Sequence, residues 1–326
     1  MFHILGLVAV FVVGVVILCY GAAGMLRGAV SIATRMGISQ LVIGLTLVAF
    51  GTSSPELSLD VSAALRGSTQ LAFGTLVGSN IANVGLILGI AAMIAPLKIN
   101  MRLLKVEAPI ALAVSLLVLG LGFDGEISRL DGFILLGAFV LFITFSYWSA
   151  RKESDRVKSE FVAAAHDASP VSEPMGKSWV LVVIGLVGLI LGAQLMVYSA
   201  VEVAKLLGIS ELIIGLTIVA IGTSLPELAT SIVAARRGDA DIAVGNVIGS
   251  NIFNMLLILA VVAIILPVPV STQSIRVDLP TMIAFAIAPL PMMFSGMVIT
   301  RREGFLLVTA MAAFLGWQIH LALQAG

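Results

Sequence analysis

Two short polar stretches interrupt apolar sequence and bring together residue types that could bind an ion. Around residue 51 the chain reads GTSSPE and, 171 positions later, GTSLPE, so Thr52, Ser53 and Glu56 are matched by Thr223, Ser224 and Glu227. Pro55 and Pro226 have no backbone N–H, which removes the helical partner of the carbonyls of Gly51 and Gly222. Hydroxyls, freed carbonyls and carboxylates, with no sulfur or imidazole among them, suit a hard cation. Calcium takes about six to eight oxygens and prefers carboxylates, and sodium accepts the same carbonyls and hydroxyls. A second pair of motifs extends the set: GSNIAN at 78–83 and GSNIFN at 249–254. Ser79 and Asn83, like Ser250 and Asn254, are spaced i, i+4 and share a helix face. Gly78 and Gly249 permit close backbone approach.

A packing role competes with each hydroxyl, because Gly, Ser and Thr also mediate helix contacts in membranes. The glutamates are different. An ionised side chain at mid-bilayer costs about 3 kcal/mol on insertion scales, which makes Glu56 and Glu227 functional candidates.

The elements that must position these residues are membrane helices. Of 326 residues, 60% are apolar and 11% charged, and the mean hydropathy is +1.14, outside the balance of a soluble domain. A bilayer core of about 30 Å needs about 20 apolar residues per helix. The sequence offers such runs at 4–22, 40–65, 70–94, 107–123, 130–150, 178–199, 211–235, 241–266, 279–297 and 303–322. Barrel strands would alternate polar and apolar residues, and Val180 to Leu191 does not. The predicted fold is therefore an all-α polytopic membrane protein with ten transmembrane helices.

The first run lacks the basic n-region of a signal peptide and matches 178–199 under the same offset, so it reads as a retained helix. The single Cys19 lies within it and excludes an intrachain disulfide. His3, His166 and His320 fall near the termini or in the central loop and read as solvated or interfacial.

With the N-terminus outside, inner loops carry 14 of the 18 Lys and Arg residues, and outer loops carry only Arg66, Arg129, Lys205 and Arg276. The positive-inside rule thus predicts ten spans with both termini outside, in a plasma or inner membrane. The segment 151–177 holds five basic and five acidic residues and reads as a solvated cytoplasmic linker.

That linker separates two copies of one pattern, 1–150 and 178–326. From Ile38 to Gly89, 29 of 52 positions are identical at an offset of 171, where chance in apolar sequence reaches about a fifth. Five spans per copy is an odd number, so the second copy must enter the membrane from the opposite side. The expectation is two inverted five-helix repeats, an arrangement found in secondary transporters.

The paired GTSxPE and GSNIxN motifs resemble the α-repeats of the calcium/cation antiporter superfamily, most closely its prokaryotic sodium/calcium exchanger branch. The resemblance covers nearly the whole chain. It implies a central site surrounded by helices 2, 3, 7 and 8, with Glu56, Glu227, Thr52, Thr223, Ser53, Ser224, Ser79, Ser250, Asn83 and Asn254 as ligands, and the carbonyls of Ala49 and Ala220 beside them. Asn254 departs from the family pattern, which often has Asp there, so site charge and coupling ratio stay open.

The implied activity is exchange of sodium for calcium by alternating access, with calcium extrusion the direction under inward sodium and potential gradients. It needs no cofactor, and its partners are the two ions and the lipid bilayer, with no nucleic acid and no obligate protein partner. A proton/calcium antiporter is the alternative, against which the hydroxyls beside each glutamate argue. A channel or ion-sensing scaffold would need a pore or a regulatory domain that the sequence does not supply. An enzyme is not expected, because the motifs hold no nucleophile–base pair or phosphate loop.

The repeat breaks at Asp60, which falls on Ser231. Asp60 lies one helical turn beyond Glu56, about 6 Å along the axis. Two readings stand side by side: a carboxylate near the cation route that restores the charge missing at Asn254, or an interfacial residue reaching water or Arg66.

Overall fold

A computed structural model of the chain describes residues 2–164, 173–206, 220–294 and 296–325. The run at 211–219 and His166 lie outside the described residues, as do the side chains of His3 and His320.

The first half opens with α1 (Phe2–Met36). It continues through α2 (Gln40–Thr52) and α3 (Ser54–Leu65), which meet at a 46° bend, and α4 (Thr69–Ile94). Next come β1 (Leu97–Lys98), α5 (Leu103–Asp124), β2 (Glu126–Ile127) and α6 (Arg129–Ala164). The second half follows the same order. It consists of α7 (Met175–Leu206), α8 (Ala220–Thr223), α9 (Leu225–Arg237), α10 (Ala240–Ile265), β3 (Val268–Pro269), α11 (Ser274–Phe294), β4 (Val298–Ile299) and α12 (Arg301–Ala325).

Among the described residues, seven helices are long and apolar enough to cross a membrane, or eight with the bent pair α2–α3 as one span. The expected spans at 211–235 and 303–322 are not among these, the first lying partly outside the described residues.

The offset of 171 recurs in the backbone. Helix α4 widens to a π segment at Asn83–Leu88 and α10 at Asn254–Ile258, while α5 begins with a π turn at Leu103–Glu107 and α11 at Ser274–Asp278. Gly67 and Gly238 both take positive φ, at 79° and 83°, a conformation that favours glycine. The small ladders also exchange halves: β1 pairs antiparallel with β4, and β2 with β3.

Helices α1 and α7 pack along each other through small residues. A Cβ on Gly21 would stand 2.7 Å from the nitrogen of Leu189, and one on Gly192 would stand 2.6 Å from that of Leu18. Cys19 is exposed on α1.

One boundary differs from the expectation. Helix α6 runs on to Ala164, well into the segment read as a linker. Its last stretch, KESDRVKSEFVAA, contains many strong helix formers, and these extend the helix beyond the apolar run. The far end of that segment is tied down: Glu173 pairs with Arg27 at 2.7 Å and with Lys177 at 2.8 Å.

Candidate ion-binding site

The α2–α3 bend and its counterpart between α8 and α9 build the site. At each, the serine of the GTS motif leaves the helix, Ser53 at φ −82°, ψ 3° and Ser224 at φ −90°, ψ 6°, and a proline follows two residues on, within the first turn of the next helix. Proline suits that position because its missing N–H would have had no partner there. Glu56 and Glu227 then stand in the first turns of α3 and α9, near the positive end of the helix dipole.

The two halves meet side chain to side chain. Ser53 Oγ donates to Glu227 Oε1 at 3.1 Å, and Ser79 Oγ lies 3.2 Å from Ser224 Oγ. Asn254 Nδ2 donates to Asn80 Oδ1 at 3.0 Å and contacts Ser79 Oγ at 3.5 Å. Asn83 Nδ2 donates to Asn251 Oδ1 at 2.9 Å. Thr52 Oγ1 has one hydrogen to give, either to Asn246 Oδ1 at 3.1 Å or to the Ala49 carbonyl at 3.3 Å. That carbonyl also accepts the N–H of Ser53 at 2.9 Å.

Thr52, Ser53, Glu56, Ser79, Asn83, Ser224, Glu227, Ser250 and Asn254 are all buried. Thr223 is partly exposed, and Ala220 is the first described residue of α8.

Several of these buried oxygens accept no hydrogen bond: both carboxylate oxygens of Glu56, Oε2 of Glu227, and Oδ1 of Asn83 and Asn254; Ser250 Oγ has no partner either. Such groups pay a desolvation penalty unless something positive meets them. The asparagines explain how the oxygens come to face this way. Their N–H donors are spent on Asn251 and Asn80, which leaves the amide oxygens free. A set rich in acceptors and poor in donors, carrying two carboxylates, fits a hard cation.

The sequence reading missed Asn80 and Asn251, the partners that orient Asn83 and Asn254. It also missed Asn246, which contacts Thr52, Ser231 and the carbonyl of Glu227. For Asn80 and Asn251 the signal lies in the third letter of each GSN triplet.

The interfacial reading of Asp60 is overturned. Asp60 is 1% exposed and neither oxygen has a partner, while Arg66 is exposed at the end of α3. Six residues on a helix correspond to about one and two-thirds turns, so Arg66 points away from it.

The family model "Sodium/calcium exchanger protein" matches residues 6–148 and again 177–320, one match per half. The chain belongs to the sodium/calcium exchanger family. It is 39% identical to the putative antiporter CaxA of Alkalimonas amylolytica over 314 residues, covering 95% of this chain and 96% of that protein. It is 34% identical to the sodium/calcium exchanger MaX1 of Methanosarcina acetivorans, covering 94% and 96%. Among solved structures it is similar to the sodium–calcium exchanger NCX_Mj soaked with zero Na+ and Ca2+, with a TM-score of 0.81 and 32% identity over 96% of this chain and 98% of that one. This is a membrane protein of a transporter family, and its apolar helices are the spans such a protein requires.

Proposed function

We propose that this exchanger-family protein moves sodium and calcium in opposite directions through one central site, by alternating access. The site comprises Glu56, Glu227, Thr52, Thr223, Ser53, Ser224, Ser79, Ser250, Asn83 and Asn254, with the carbonyls of Ala49 and Ala220 beside them. Ten spans form two inverted five-helix repeats, 1–150 and 178–326, joined by 151–177, with both termini outside the cell. The recurrence of π segments at an offset of 171, and ladders that each pair a strand of one half with a strand of the other, support that arrangement. The positive-inside count supports the orientation.

The observation that carries the reading is the meeting, from both halves, of two buried carboxylates with hydroxyl and amide oxygens that have no donor of their own. One calcium neutralises the two carboxylates. Sodium ions sharing the same oxygens neutralise them equally well, so either load hides the buried charge and permits the protein to switch face. The empty site keeps its charge, which opposes switching and couples the two fluxes. Where sodium and potential gradients point inward, calcium leaves the cell.

The test is calcium uptake into inside-out vesicles, driven in turn by a sodium gradient and by a pH gradient. Uptake driven by sodium and unaffected by pH is the expected result. Uptake driven by pH alone would make protons the counter-ion.

A further inference from the structure

The interior face of α3 consists of Glu56, Asp60 and Ala64, spaced i, i+4, i+8, so both acidic side chains turn the same way, about 6 Å apart along the axis. Glu56 belongs to the proposed central site, whereas Asp60 has no role there. Helix α3 packs chiefly on α4 and on the stretch of α10 from Asn254 to Ile265. Neither of these contains a Lys, Arg or His. A buried carboxylate with no hydrogen-bond donor and no basic side chain in the elements packed on it leaves a large desolvation cost unmet.

The other half shows how this position is satisfied when no ion is needed. Ser231 stands where Asp60 would fall, and its Oγ accepts from Asn246 Nδ2 at 3.2 Å. In the first half the place of Asn246 is taken by Thr75, whose hydroxyl turns back to the carbonyl of Leu71 at 3.0 Å. The donor that closes the second half is thus missing from the first, and an acid stands in place of the alcohol.

We propose that Asp60 ligates a monovalent cation of sodium size, one turn from Glu56 toward the end of α3, as a second station on the ion route. This rests on the exchange reading given above. One carboxylate with no basic side chain in the elements packed on it matches a single positive charge, and a divalent ion there would leave an unbalanced charge.

The experiment uses full-length protein in proteoliposomes and measures calcium efflux as a function of external sodium, and separately of calcium, in Asp60→Ser and Asp60→Asn. Serine already occupies the matching position in the other half, so Asp60→Ser restores the repeat, while Asp60→Asn keeps the shape of the side chain and removes only its charge. The sodium concentration for half-maximal efflux is expected to rise about tenfold in both variants, with a lower Hill coefficient and a smaller shift in the calcium dependence. A charge acting only through its field would have the reverse effect, since it acts about twice as strongly on a divalent ion as on a monovalent one. A calcium shift equal to or larger than the sodium shift therefore overturns direct ligation, and so does an unchanged sodium dependence. Radioactive sodium binding to purified Asp60→Ser should fall by about one ion relative to the wild type, and full retention overturns the proposal even if the variant reconstitutes poorly. Glu56→Gln separates the two claims. Wild-type protein without sodium-driven calcium efflux would fail the exchange reading itself, an intact Glu56→Gln would remove Glu56 from the central site, and a dead Glu56→Gln beside a normal Asp60→Ser refutes the second station alone.

Discussion

Asn80 and Asn251 exchange hydrogen bonds across the two halves: Asn80 Nδ2 donates to the carbonyl of Asn251 at 3.2 Å, and Asn251 Nδ2 to the carbonyl of Asn80 at 3.3 Å. Their own amide oxygens accept from Asn254 and Asn83. All four asparagines therefore form one network, buried at Asn80, Asn83 and Asn254 and partly exposed at Asn251, placed where α4 and α10 widen into π segments. Such π-bulges gather at functional sites.

Replacing Asn80 by Ala leaves the Asn254 amide only its long 3.5 Å contact to Ser79 Oγ and takes one donor from the Asn251 carbonyl, which keeps the backbone N–H of Asn254. Each of Asn80→Ala and Asn251→Ala is expected to cost about 1–3 kcal/mol, read as a lower melting temperature of the purified protein. The double variant should cost less than the sum, because members of one network couple. Strict additivity would show that the two asparagines act independently.

The crossing of α1 and α7 leaves no room for a side chain at Gly185. An added Cβ would meet the backbone nitrogen of Met25 and stand 2.7 Å from the carbonyl oxygen of Gly21, both main-chain atoms that cannot swing aside. Gly185→Val is expected to cost about 1–3 kcal/mol through overpacking, seen as aggregation on size exclusion or a lowered melting temperature. Gly176→Ala is the control, since a Cβ there meets nothing within 4 Å. Equal behaviour of the two variants would place the α1–α7 contact elsewhere.

What could be read from the sequence divides along physical lines. Hydropathy marks lipid-sized runs, and repetition marks equivalent positions, so the bent pair, the matched helices and the polar cluster were all accessible. Pro55 and Glu56 announced the bend at Ser53 because proline and acid have few other reasons to interrupt apolar sequence. The extension of α6 to Ala164 was hidden, because a charged helix and a charged linker have similar composition. The roles of Asn80 and Asn251 were hidden for another reason. Which asparagine turns its oxygen to the site and which turns its amide to a partner depends on contacts between residues 171 positions apart, and one motif does not encode them.

Glu173 links the ends of α1 and α7. It pairs with Lys177 and Arg27, and its backbone carbonyl accepts from Ser31 Oγ and Ser178 Oγ, each at 3.3 Å. The hydrogen bond from Lys177, with the Lys177 and Arg27 charges behind it, holds the Glu173 carboxyl below the usual carboxylate range. A depressed acid contributes stability that is present above its unfolded value, about 4.3, and is lost as pH falls through the lower folded value. The wild-type melting temperature should therefore drop as the pH is lowered below about 4. In Glu173→Gln this component should be absent, so the gap between the two proteins narrows on acidification. A gap that stays constant down to pH of about 2 would show that the pair contributes no stability.

Glu56 and Glu227 occupy matched positions in unequal surroundings. Glu227 Oε1 accepts from Ser53, whereas neither oxygen of Glu56 accepts anything. In Glu56→Gln and in Glu227→Gln half of the carboxylate charge of the central site is lost, and calcium exchange is expected to vanish in both. Transport alone cannot distinguish a lost ligand from a jammed protein, so binding is read through stability. A ligand that binds only the folded state stabilises it by about 2.7 kcal/mol at a hundred times its Kd. Calcium should raise the melting temperature of the wild type and of Ser54→Ala, whose hydroxyl is outside the proposed ligand set and bonds the carbonyl of Phe50 across the α2–α3 bend. It should leave the melting temperature of either glutamine variant unchanged. In calcium-free, sodium-free buffer Glu56→Gln should melt no lower than the wild type, because the change removes an uncompensated buried charge and no hydrogen bond. Glu227→Gln keeps an amide oxygen that can still accept from Ser53, so it too should fold. A calcium-induced rise in either variant that matches the wild type would remove that glutamate from the site.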